Sequence, residues 1–241
     1  MHPSPNFINF RQVAEGSNLP FYRSGSFALL NEQDYKHFKH LKIKYYYDLR
    51  MDIEITSQAG ANRFDKFDVE NVHLAIDIGS DSFLQLGIPT IHDECSFYLR
   101  ILPDALKRLH SMAEHFVMKY AENKNICVVF GCSFGRDRTG LISALLLKVL
   151  GFSEEFILRD YLLSEKYILH SMDYFIKRYK PPSMSKEDYI SHLQPKKEII
   201  NYVLDYLQQN QEMFYEYSNS PIFVKLHKLM SQNIDQDTCH R

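Results

Sequence analysis

The chain has 241 residues, 45% of them hydrophobic and 24% charged, enough to bury a sizeable core without disulfide or metal staples. A formal charge of −2 and a pI near 6.6 exclude whole-chain attraction to nucleic acid or an acidic membrane, so any anionic ligand must be drawn by local charge. The four cysteines, at 95, 127, 132 and 239, form neither a disulfide framework nor a zinc pattern, and neither disulfides, metal nor cofactor is expected.

In chain order, residues 1–10 lack the basic start, apolar core and small-residue cleavage site of a secretory signal. Residues 21–29 read as a strand with a Ser-Gly-Ser turn. Asn31 can cap a short helix to about residue 41, and residues 43–48 form a tyrosine-rich strand. The polar stretch 55–68 reads as a loop, 72–78 as a strand and 88–97 as a loop bordering a site. Pro103 fits the first turn of a helix in which Leu106, Leu109, Ala113, Phe116, Val117 and Tyr120 repeat at helical spacing. A strand from 125 to 131 and a helix from 139 to 150 follow. Gly151 stops that helix, Ser153 caps the next, and helical patterns continue around 199–207 and after Ser220-Pro221. The longest apolar run, 141–147, is too short to span a bilayer. The expectation is one unit over 1–241, with an α/β core at about 7–168 and a helical extension at about 169–235. Its sheet is central, mostly parallel and flanked by helices. A cytoplasmic location is expected, with export by a dedicated route left open.

Between that strand and helix lies Gly131-Cys132-Ser133-Phe134-Gly135-Arg136-Asp137-Arg138-Thr139-Gly140. A cysteine attacks as the thiolate, which a loop of inward amides and a helix N-terminus favour. The same amides, from Ser133 to Arg138, can cradle phosphate oxygens while the planar fork of Arg138 binds two of them. Gly135 suits a tight turn, and Thr139 places a hydroxyl near the sulfur as nucleophile and leaving group.

This loop resembles that of the protein tyrosine phosphatase superfamily, and the chain is similar to its bacterial and fungal branch with the loop His-Cys-x-x-Gly-Lys-Asp-Arg-Thr-Gly. The likeness extends to Asn9-Phe10-Arg11, Tyr22-Arg23-Ser24-Gly25, Tyr47-Asp48-Leu49-Arg50, Glu54 and Asp160-Tyr161-Leu162-Leu163-Ser164. It implies a tyrosine-phosphatase-like fold and a phosphomonoesterase with a phosphocysteine intermediate on Cys132. Two positions depart: Gly131 replaces the branch's His, removing one support of the thiolate, and Arg136 replaces Lys.

The resemblance favours Asp137 as the acid that protonates the leaving oxygen. The alternatives are that Asp137 only braces the loop or pairs with Arg136, with Asp93 or Asp81 as acids from an upstream loop. Arg23, Asp48 and Arg50 are read as supporting residues, a network beneath the loop. Phosphotyrosine in protein is the first substrate and a phosphoinositide or other multiply charged phosphate the second, since Arg136 beside Arg138 adds charge. A poorly hydrolysing phosphate-binding module is the reading that Gly131 motivates. Sulfur transfer or arsenate reduction is disfavoured by Thr139-Gly140.

Overall fold

The computed structural model of the protein describes residues 6–27, 29–57, 68–79 and 89–231. Five strands, β1 (Arg11–Gln12), β2 (Phe21–Ser24), β3 (Ile43–Asp48), β4 (Glu70–His73) and β5 (Cys127–Gly131), form one sheet in the order β1-β2-β5-β3-β4. β1 is antiparallel to β2, and the other neighbours run parallel. β5 is therefore central, and its last residue, Gly131, stands in register with Ser24 on one side and Asp48 on the other.

Side chains alternate across the sheet with the period of two that a pleated strand imposes. Val129 and Tyr46 point into an aromatic cluster with Phe7, Phe10, Phe27 and Phe38, covered by α1 (Glu32–His40). Val128, Phe130 and Tyr47 point the other way, into the main core. That face is covered by α3 (Ile91–Glu122), α4 (Asp137–Val149) and α5 (Glu154–Leu162), together with α9 (Lys197–Gln209) and α11 (Pro221–Met230). Both faces of the parallel sheet are thus shielded from water, as such sheets require.

Helix ends follow local chemistry. Asn31 accepts from the amides of Gln33 and Asp34, while the Asp34 side chain returns to the Asn31 amide, a closed capping box. Ser153 caps α5, and Gly151 takes φ +83° after α4.

Several elements differ from the sequence expectations. β2 stops at Ser24 because the chain then turns to bond elsewhere: Gly25 N to Ile8 O and Ser26 N to Ser133 O. A short helix, α2 (Asp52–Ser57), opens the stretch expected to be a loop, whose positions 58–67 lie outside the described residues. β4 covers residues 70–73 rather than 72–78. α3 begins at Ile91, not near Pro103, because Thr90 and Asp93 make a second capping box; Pro103 sits inside the helix. Asp81, Cys239 and the start of the expected 88–97 loop also fall outside the described residues. Cys95, Cys127 and Cys132 are free thiols.

The remaining helices are α6 (Ser164–Leu169), α7 (Met172–Tyr179), α8 (Lys186–Leu193) and α10 (Gln211–Ser218). Phe175, Tyr189 and Leu193 of α7 and α8 form a third cluster that packs against Phe134, in the loop after β5. No described helix is long and apolar enough to cross a membrane.

Candidate active site

The loop after β5 is built at the carboxyl edge of the parallel strands, where the strand ends of β2, β5 and β3 converge. Its carbonyls are held from outside. Gly131 O accepts from Leu49 N at 2.8 Å, and Ser133 O from Ser26 N at 3.0 Å. Gly135 O accepts from Asn9 Nδ2 at 2.7 Å and Arg23 Nη2 at 3.0 Å. Because a trans peptide points its N–H opposite its C=O, the bonds to Ser133 O and Gly135 O turn the amides of Phe134 and Arg136 away from those partners.

Glycine is required at two positions here. Gly135 has φ +69°, and a Cβ on it would lie 2.5 Å from Gly25 N. A Cβ on Gly131 would lie 2.7 Å from Ser24 O and 3.1 Å from Gly25 O. Residue 131 thus lacks a side chain because the β2 turn passes directly over it.

Cys132 is buried at the strand end. The Thr139 hydroxyl lies 3.2 Å from its sulfur and accepts from the Cys132 amide at 2.9 Å. Arg138 is buried and gripped along one edge: its Nη1 and Nη2 each donate to Glu54 at 2.6 Å, and Nη1 also donates to Leu49 O at 3.2 Å. That leaves Nε–H and the second Nη2 hydrogen as the edge on which two anionic oxygens can sit. Burial pushes the Arg138 guanidinium down, but Glu54 and Cys132 outweigh it and raise it above its ordinary value. Burial likewise pushes Glu54 up, and Arg138, the Met51 amide and the Ser133 hydroxyl, 2.7 Å away, outweigh it and hold the carboxyl below its usual range.

Asp137 opens α4. Its Oδ1 accepts from Arg136 Nε at 2.8 Å and from the Tyr98 hydroxyl at 2.8 Å. Burial raises this carboxyl, but Arg136 and then Tyr98 and His192 overcome it, so it lies below the ordinary aspartate value.

What decides the family is the reach of the match: a sequence model described as the tyrosine phosphatase family aligns with residues 7–230. The chain belongs to the tyrosine phosphatase family. A tyrosine-protein phosphatase of Nostoc commune is 27% identical over 151 residues, covering 61% of this chain and 49% of that protein. The chain therefore matches about half the length of this relative. Among solved structures, the core catalytic domain of the PP-IP phosphatase SIW14 from S. cerevisiae in complex with citrate has a TM-score of 0.40 at 14% identity, over 88% of this chain and 95% of that one. A second structure of the Siw14 catalytic core gives 0.39 at 15% identity, over 84% and 92%.

Against the sequence expectations for a tyrosine phosphatase, Cys132, Arg138, Asp137 and Thr139 come together around one loop. The side chains of Ser133 and Phe134 are engaged elsewhere: the Ser133 hydroxyl goes to Glu54 and the Phe134 ring packs on Phe175 and Tyr179. The Arg136 side chain does not face the cradle. It is buried between Asp137 and the carbonyl of His192 at the end of α8, so the second cation expected beside Arg138 is already spent.

Arg23, Asp48 and Arg50 fall into two separate ion-pair groups rather than one network. Arg23 pairs with Asp160 at 2.9 Å, not with Asp48, while Arg50 pairs with Asp48 at 2.6 Å. Arg11 joins Arg23 at Asp160 and Ser164, and burial and then Arg23 lower its guanidinium to about 9 against the pull of Asp160. Asp93 is exposed, bonds Thr90 as a helix cap, and sits in a helix rather than a mobile loop.

Sequence reasoning assigned no role to Glu54, Asn9 or Asp160, although all three stand in the motifs that carry the family resemblance. Tyr98 carried no motif signal at all.

Proposed function

We propose that the protein is a cysteine-dependent phosphomonoesterase whose first substrate is phosphotyrosine in protein. The observation that carries this reading is the Cys132 sulfur 3.2 Å from the Thr139 hydroxyl, in a loop followed by an Arg138 that Glu54 grips along one guanidinium edge, leaving the other edge uncommitted. Residues 7–230 act as one unit, since helices as late as α11 complete the main core.

In the first step the Cys132 thiolate attacks phosphorus, the P–O bond to the leaving group breaks, and that oxygen takes a proton from Asp137. The amides of residues 133–138 and the Nε–Nη2 edge of Arg138 hold the three equatorial oxygens and the charge that spreads over them. In the second step water attacks phosphorus and gives its proton to Asp137, and the S–P bond breaks to return the thiolate under the Thr139 hydroxyl. Glu54 positions Arg138 without competing for the phosphate, because it occupies the opposite part of the fork.

Free Asp137 lies below the ordinary aspartate value, which suits the base of the second step. Bringing a phosphate dianion beside it disfavours the carboxylate and returns it toward the protonated form that the first step needs.

A phosphoinositide as first substrate would draw on the charge of Arg136, which is engaged by Asp137 and the His192 carbonyl. A binding-only role rested on Gly131, for which the close passage of Ser24 supplies a packing reason. The test compares kcat/KM on a phosphotyrosyl peptide and a soluble phosphoinositide, with Cys132→Ser as the inactive reference. Faster turnover of the peptide is expected. A clear preference for the inositol phosphate would reverse the order of substrates, and no turnover of either would remove the enzymatic reading.

A further inference from the structure

Behind Asp137 stand two tyrosines from outside the catalytic loop. The Tyr98 hydroxyl, on α3, donates to Asp137 Oδ1 at 2.8 Å, and its oxygen lies 3.0 Å from the Tyr161 hydroxyl on α5. Both rings are buried. Arg136 Nε reaches the same Oδ1 at 2.8 Å. Two donors thus fill the acceptor sites of one carboxylate oxygen. Among the described residues none donates to Oδ2, and the side chain keeps 22% of its surface exposed.

We propose that Tyr98, backed by Tyr161, is a positioning residue that fixes Asp137 through Oδ1 and leaves Oδ2 as the oxygen that exchanges a proton with the leaving group and then with water. This rests on the reading of Asp137 as acid and base. The arrangement explains a coupling between two motifs: a Cβ on Gly140 would lie 2.9 Å from the Tyr161 ring, so glycine after Thr139 is what admits the tyrosine of Asp160-Tyr161.

The groups that face Asp137 are Arg136 and Arg138 of the loop and helix start, Tyr98 of α3, Tyr161 of α5 and His192 of α8. Glu94 stands beyond them against His192 and Lys196. Burial and then the Asp137 charge push both tyrosine hydroxyls well up, so they keep their protons at neutral pH and orient the carboxylate without carrying its proton.

The test is Tyr98→Phe and Tyr161→Phe, which keep the rings and the packing. Removing a donor to the carboxylate form raises Asp137, so the acid stays protonated to higher pH. The basic limb of kcat/KM is expected to move upward by about 0.5–1 pH unit in Tyr98→Phe, and by less in Tyr161→Phe. Because a poor leaving group depends more on the acid, the loss on phenyl phosphate should exceed that on p-nitrophenyl phosphate by about threefold to tenfold. In an Asp137→Asn background, Tyr98→Phe should add no further leaving-group sensitivity. A carbon-13 titration of the aspartate carboxyls reads the same upward shift without turnover. If the parent enzyme turns over and both tyrosine variants keep its pH limbs, leaving-group ratio and Asp137 titration, the tyrosines are a mere brace and the proposal is overturned while the reading of Asp137 stands. If Asp137→Asn itself leaves the leaving-group dependence unchanged, the underlying reading fails and the proposal fails with it.

Discussion

Placing the branch's histidine at position 131 is expected to damage this protein rather than improve it. A Cβ there would lie 2.7 Å from Ser24 O and 3.1 Å from Gly25 O, both backbone atoms that cannot rotate away. Ser24 is also locked to its neighbours, in register with Gly131 and with its hydroxyl donating to Ile8 O at 3.1 Å. Relief therefore requires the strand and its turn to move, a form of overpacking that costs about 1–3 kcal/mol. Replacing a strand glycine by alanine recovers about 0.5–1 kcal/mol of chain entropy. With backbone as the obstacle the cost falls in the upper part of that range, about 2–3 kcal/mol, so the net loss for Gly131→Ala is about 1–2.5 kcal/mol, or about 2–10 °C in Tm for a chain of this size. Gly131→His adds an imidazole to the same collision and should lose more. Urea unfolding and thermal melting measure both variants, and kcat/KM on a phosphotyrosyl peptide should fall with them because the same turn holds Ser133 O. If Gly131→Ala keeps parental stability, or Gly131→His is both stable and faster, the packing explanation for this glycine is wrong.

Glu54→Gln should lower kcat/KM by about 10²–10³, since Arg138 loses its ionic partner and its fixed orientation; steady-state kinetics against the parent read the loss. The same variant tests a pH effect. Glu54 lies below its usual range in the folded protein, so its stabilisation is full above the unfolded carboxylate value and is lost as pH falls through the folded one. Unfolding of Glu54→Gln should therefore depend less steeply on pH on the acid side. Asp160→Asn leaves Arg11 and Arg23 buried without a carboxylate and should destabilise by about 3–5 kcal/mol in urea unfolding. Thr139→Ala should slow release of phosphate from the phosphoenzyme more than its formation, seen as a larger burst over a slower steady state in rapid-mixing kinetics.

What could be read from the sequence was what local chemistry controls. Asn31 and Ser153 announce helix starts through their own side chains, Gly151 announces a stop, and β3 spans the same residues, 43 to 48, that its tyrosine-rich run suggested. The strand, loop and helix around Cys132 were legible because a strand, a cysteine, an arginine and a helix start are contiguous. The start of α3 is set by Thr90 and Asp93, three residues apart in a capping box, while Pro103, which also suits a first turn, lies inside the helix. The direction of Arg136 was not legible, since it depends on the His192 carbonyl at the end of a helix far along the chain. Glu54 and Tyr98 reach the loop from sequence distances of 84 and 39 residues, and no periodicity or spacing encodes such a meeting. The partner of Arg23 was not legible either, since Asp160 meets it only once α5 is folded against β2.

The decisive measurement is rapid acid quenching of the reduced enzyme during turnover of a phosphotyrosyl peptide, followed by mass spectrometry of the fragment that contains residue 132. A phosphoryl group on Cys132, absent from Cys132→Ser and longer-lived in Thr139→Ala, is expected. A phosphatase that turns over with no phosphoryl group ever trapped on that sulfur, or with the group on another residue, would contradict nucleophilic attack by Cys132.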